Sequence, residues 1–171
     1  MRAKLTSLAL MLVTAAAVSQ LPAQQKGKQA PQGPKTYTSA KEIVAMMSKA
    51  KNERKQDQAN FIQGILRLAP YNANLEYRED VPQAAALHEK EAEVFYVIDG
   101  SGTMVTGGQL AGESRTNAEN LTGTGIEGGD TQNVAKGDFF IVPENTPHWF
   151  SKINGTLVLM SLHVPRPVPA K

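Results

Sequence analysis

The run EVFYVID, from Glu93 to Asp99, is the stretch that most limits what this chain can fold into. Its residues alternate between two faces, with Glu93, Phe95 and Val97 on one side and Tyr96 and Ile98 on the other, and Gly100-Ser101-Gly102 ends it. Similar short pieces recur along the chain. Phe61 to Leu68 is apolar until Ala69-Pro70 interrupts it, and Leu75 to Arg78 alternates up to the turn at Val81-Pro82. Ala84, Ala86 and His88 then share one side of another extended piece. Further on, Phe139 to Val142 and His148 to Ser151 flank the tight loop from Pro143 to Pro147. Short strands divided by turn residues every roughly eight to twelve positions argue for a β-sandwich or a small barrel. Phe95 and Val97 should line its interior, while Tyr96 and Ile98 face a second layer or a subunit partner.

At 171 residues the chain has room for one domain and a tail. Its start has a different character. Met1, Arg2 and Lys4 precede an uncharged apolar run from Leu5 to Val18, and small residues follow to Ala23. That run is shorter than the ~20 residues a membrane-spanning helix needs. Residues 1–23 therefore read as a secretory signal peptide cut after Ala23, with a periplasmic or secreted destination and no stable membrane anchor after cleavage. The chain has no cysteine, which excludes a disulfide framework, thiolate metal ligands and a lipid attached through an N-terminal cysteine.

Residues 24–35, QQKGKQAPQGPK, carry too little apolar surface to fold and form a disordered linker. Ser39 with Glu42 makes a capping-box pattern, and Ile43, Val44, Met46, Met47 and Ala50 follow at helical spacing. One amphipathic helix is expected at about residues 40–51, within an N-terminal segment 36–56; the all-β body is expected at 57–171. Residues 24–55 hold eight basic and two acidic residues, and 56–171 hold eight basic and fourteen acidic, so a +6 arm precedes a −6 body. The arm lacks interleaved aromatics and a dense Lys/Arg block, which argues against a nucleic-acid partner.

Two stretches set loop expectations. Gly107 to Gly129 is rich in Gly, Asn, Thr and Glu, with only Leu110, Leu121 and Ile126 large and apolar, and reads as one long loop before order returns at Val134. Asn154-Gly155 reads as a hairpin turn between His148–Ser151 and a last strand from Thr156 to Val164. Pro165, Pro167 and Pro169 then end strand pairing.

His88, Glu93 and Gly100 resemble the first motif of the cupin family, whose usual form is His-x-His, three or four residues, Glu, six residues, Gly. Gly137, Pro143 and His148 resemble its second motif, with Asn145 where a glycine usually stands; Asn tolerates the same left-handed backbone. The resemblance covers roughly residues 60 to 164. It implies an all-β double-stranded β-helix, a jelly-roll barrel, carrying the short N-terminal helix. In such a barrel the two motifs face each other, and His88, Glu93 and His148 would bind one divalent metal ion. One motif histidine is missing: Lys90 stands at its position, and the spacing from His88 to Glu93 is then one residue short. An odd separation places His88 and Glu93 on opposite faces of a continuous strand, so residues 89–92 must turn. Glu89 or Glu91 is an alternative occupant of the missing ligand's place. No motif claims His163, which reads as a structural or exposed histidine.

Two histidines and a carboxylate leave about three positions on an octahedral ion for water or ligand, which suits Fe, Mn or Ni; a tetrahedral Zn keeps one. Two functions fit: a metal-dependent enzyme acting on a small molecule, or a non-catalytic module binding a sugar or other polar ligand. The fold does not choose between them. The resemblance also implies a homodimer.

Overall fold

The computed structural model describes residues 33–166; the signal peptide expected at 1–23 and most of the linker expected at 24–35 lie outside the described residues. Among the described residues no helix is long and apolar enough to cross a membrane. Helix α1 (Ala40–Glu53) begins as expected. The Ser39 side chain accepts from the Glu42 amide, and the Glu42 carboxylate accepts from the Ser39 amide, so each satisfies an amide that the first turn leaves unpaired. The apolar side of α1, Ile43, Met46, Met47 and Ala50, packs on strands β1 (Asn60–Leu68) and β2 (Tyr71–Glu79) with Phe61, Ile65, Leu75 and Tyr77. The two methionines are therefore packing residues.

The remaining strands are β3 (Ala85–His88), β4 (Glu91–Thr106), β5 (Gln109–Ala111), β6 (Ser114–Arg115), β7 (Asn120–Gly123), β8 (Gly125–Glu127), β9 (Asp130–Ala135), β10 (Phe139–Val142) and β11 (His148–Pro165). The antiparallel pair β4–β11 is the spine, running from Thr106 opposite His148 to Glu91 opposite Pro165. β2 and β3 add to β11, β9 and β10 add to β4, and β7 and then β6 continue outward from β3. The result is a jelly-roll barrel. Its interior holds Phe95, Val97, Met104, Val134, Val142, Phe150, Ile153, Leu157 and Leu159. The outer side of the same strands, through Ile98, Val158, Met160 and Leu162, packs with α1. The facing expected for residues 93–98 holds: Phe95 and Val97 are buried inside, Tyr96 is exposed, and Ile98 lies on the helix side.

Two loop expectations are corrected. Asn154-Gly155 does not reverse the chain. Both halves of β11 run along β4, and the register slips between Ile153 and Leu157, where Gly155 has φ +77°. On the opposite strand Gly100 has φ +83°, and any Cβ there would collide with the Thr156 carbonyl. Asn-Gly supplies the same left-handed backbone to a bulge as to a turn, so local chemistry cannot tell the two apart; pairing with the distant β4 decides. The 107–129 segment is likewise not one loop. It contains β5 to β8, and β7 pairs with β3, placing Asn120 opposite His88. Order resumes at Asp130, four residues earlier than the sequence reading has it. The backbone ladder organises this segment despite its few apolar side chains.

Candidate metal centre

Each candidate reaches the site by a different strand, and the barrel brings them to one end of its interior. β3 stops at His88, Glu89 and Lys90 bend, and β4 starts at Glu91. This is the turn that the odd spacing required, and it lets Glu93 point inward on the Phe95–Val97 face. His148 opens β11 after the Pro143–Pro147 loop, whose Asn145 has φ +56° and donates its amide to the His88 carbonyl, 2.7 Å away. That hydrogen bond ties one motif to the other.

Glu93 is the centre of the cluster and only 4% exposed. Its Oε2 lies 3.3 Å from His88 Nε2 and 3.1 Å from His148 Nε2. Its Oε1 lies 3.3 Å from His163 Nε2. His88, Glu93 and His148 thus offer one ligand atom each within 4.8 Å of one another. His163 was not expected here. It stands directly opposite Glu93 in the β4–β11 register, so the two side chains share the inner face. Its Nδ1 meets Glu91 Oε2 at 3.0 Å. A signal for His163 did exist in the alternation Leu157, Leu159, Ser161, His163, which continues the buried face of the last strand.

Two other expectations change. Lys90 does not occupy a ligand's place: its exposed Nζ donates to Glu119 Oε1 at 2.9 Å. With four residues between it and Glu93, His88 corresponds to the second histidine of the first motif, and the missing one falls on Ala86. The β3 pairing puts Ala86 opposite His148 and one alternation from His88, on the face toward the cluster. Of the two alternative carboxylates, Glu89 is held outward by Arg115 at 2.7 Å, whereas Glu91 reaches the cluster through His163.

The electrostatics follow from this crowding. Burial pushes the Glu93 carboxyl up, but hydrogen bonds from His148 and His88 and the nearby imidazoles outweigh it and hold the carboxyl far below the usual range. Burial pushes His88 down, yet its hydrogen bonds to Glu93 and Asn120 leave it above its ordinary value.

The donor set suits a cation. The outer nitrogen of each ring meets an oxygen: His88 Nδ1 meets Asn120 Oδ1 at 2.7 Å, His148 Nδ1 the Thr146 carbonyl at 3.3 Å, and His163 Nδ1 the Glu91 carboxylate. Carbonyl and carboxylate oxygens only accept, so the outer nitrogens carry protons and the inner lone pairs of neutral rings point at the carboxylate of Glu93. Lone pairs facing lone pairs need either an added proton on each ring or a shared cation. The ring of His88 lies 5.3 Å from that of His148 and 5.0 Å from that of His163. One divalent ion shared by these rings and the Glu93 carboxylate satisfies the same lone pairs.

Fold and cluster define a jelly-roll barrel with a histidine–carboxylate centre at one end of its interior. Residues 84–165 match the cupin family, and the chain carries a domain of the cupin superfamily. No curated protein matches the sequence. Among solved structures, the protein BH2720 from Bacillus halodurans is similar over 80% of this chain and 86% of its own, with 16% identity and a TM-score of 0.50, a likeness of fold. KdgF from Halomonas sp. is 14% identical over 67% of this chain and 87% of its own, with a TM-score of 0.47. HppE in its Fe(II) form is 16% identical over 63% of this chain, with a TM-score of 0.47, and this chain spans about half of its length (52%).

Proposed function

We propose that this protein is an exported cupin in which His88, Glu93 and His148 hold one divalent ion, Fe, Mn, Ni or Zn, at which a small molecule is bound or transformed. The supporting observation is the orientation of the rings: outer nitrogens on fixed oxygen acceptors, inner nitrogens toward one buried carboxylate. Such outer partners set the tautomer and aim of a metal-binding imidazole. When bound, the ion would polarise an oxygen-bearing ligand as a Lewis acid. The chain's own contribution is to orient both rings through Asn120 and Thr146 and to balance the ion's charge with Glu93.

A second reading, a non-catalytic module for a sugar or other polar ligand, draws support from β2. Ala73, Leu75 and Tyr77 face the helix, so Asn72, Asn74, Glu76 and Arg78 face the barrel interior. Arg78 lies over the Phe150 ring, 4.8 Å from its centroid. That polar wall suits hydroxyl groups whether or not turnover follows. Export rests on residues 1–23, and homodimerisation on the outward apolar residues of β4 and β10: Tyr96, Phe139 and Ile141 are 41%, 68% and 59% exposed. Metal analysis of the purified protein tests the central reading. About one ion per chain, lost in His148→Ala, is expected; less than about a tenth of an ion per chain, unchanged by that substitution, would overturn it.

A further inference from the structure

We propose that His163 is a third imidazole ligand of this centre and that Glu91 is the residue that positions it. The inference rests on the metal reading of His88, Glu93 and His148, and adds to that set a residue from outside both motifs.

Register brings His163 to the site. As the direct cross-strand partner of Glu93 it shares the inner face, and its Nε2 stands 3.3 Å from Glu93 Oε1. Its ring is as near to that of His88, at 5.0 Å, as the His148 ring is, at 5.3 Å. The diagonal neighbour Glu91 accepts from Nδ1 at 3.0 Å, leaving the Nε2 lone pair of the neutral ring aimed inward. A carboxylate behind an imidazole whose other nitrogen faces a metal is a recurrent outer-shell arrangement that fixes the ring and raises its basicity. Ala86 supplies the complementary fact. On the face toward His148, where the motif would carry another imidazole, this chain has only a methyl group. The last strand supplies an imidazole that β3 lacks. With three nitrogens and one carboxylate, an octahedral ion keeps about two open positions instead of three.

A purely structural alternative is an ion pair in which His163 is protonated between Glu91 and Glu93. The test separates the two. The full chain, stripped with a chelator, is titrated with Co(II) against a chromophoric competitor, and pulsed EPR of the Cu(II)-loaded protein counts the coupled imidazoles. His163→Ala should weaken Co(II) binding by at least about tenfold and reduce the count from three to two; Glu91→Gln should weaken binding by roughly tenfold and keep the count. Adding Ala86→His to His163→Ala should restore a third coupled imidazole. Circular dichroism and thermal melting confirm that each variant is folded. Unchanged affinity and imidazole count in His163→Ala, with metal lost in His148→Ala, would overturn this inference alone. A wild-type chain that binds neither ion would overturn the metal reading and this inference together.

Discussion

Gly100 and Gly155 allow the β4–β11 spine to be tested by a matched pair of substitutions. Both have positive φ, +83° and +77°. An alanine at either position incurs the left-handed backbone penalty, about 1 kcal/mol at the low end of the usual range. The surroundings differ. A Cβ on Gly155 meets nothing within 4 Å, whereas one on Gly100 overlaps the Thr156 carbonyl and crowds the Leu157 Cα. Both obstacles are backbone inside a paired bulge, so the strand itself must shift. Gly155→Ala should therefore cost about 1 kcal/mol and Gly100→Ala at least about 2–3 kcal/mol, since displacing packed backbone adds a strain of overpacking size. For a domain of this length that is about 3 °C against at least roughly 6–9 °C in Tm. Thermal and urea unfolding of the two variants beside the parent give both numbers. Equal losses would refute the facing-bulge geometry, because the backbone penalty is common to both.

Three further outcomes follow from the site and its supports. In metal-free protein the Glu93 carboxyl lies below its ordinary 4.5, so its contribution to stability is full above about pH 4.5 and fades as pH falls through the folded value. His88 lies above its ordinary 6.5, so its contribution is full below about pH 6.5 and fades as pH rises through the folded value. The stability gap between parent and Glu93→Gln should thus be widest between about pH 4.5 and 6.5; a gap independent of pH would contradict the cluster. Phe95→Ala removes a buried ring stacked on Phe140 at 5.1 Å and edge-on to Phe150 and His148, and should cost about 3–5 kcal/mol in urea unfolding. Phe139→Glu with Ile141→Glu should convert the proposed dimer to monomer in sedimentation velocity while the circular dichroism spectrum stays that of the parent, because both side chains are exposed in the chain; a parent that sediments as a monomer at micromolar concentration would refute the dimer.

What could be read from the sequence was what local chemistry determines. The alternation from Glu93 to Ile98 assigned inner and outer faces because side chains on a strand obey a period of two wherever the strand lies. Ser39 and Glu42 marked a helix start because both partners of the capping box lie within one turn. Within the centre, His88, Glu93 and His148 were legible as residue types at motif spacing, and the bend at Glu89-Lys90 was required by the odd separation of the first two. The rest depended on partners distant in sequence. Asn154-Gly155 carries the same turn chemistry in a bulge as in a hairpin, and only β4 pairing along both halves of β11 distinguishes them. The strands between Gln109 and Glu127 have little apolar patterning of their own and owe their order to β3 and to one another. His163 lies in no motif, and its place beside Glu93 is a consequence of register across seventy residues of chain. The sequence by itself determined the kinds of strand and the ligand types available; the tertiary structure decided which imidazoles converge, because convergence is set by cross-strand pairing and not by spacing along the chain.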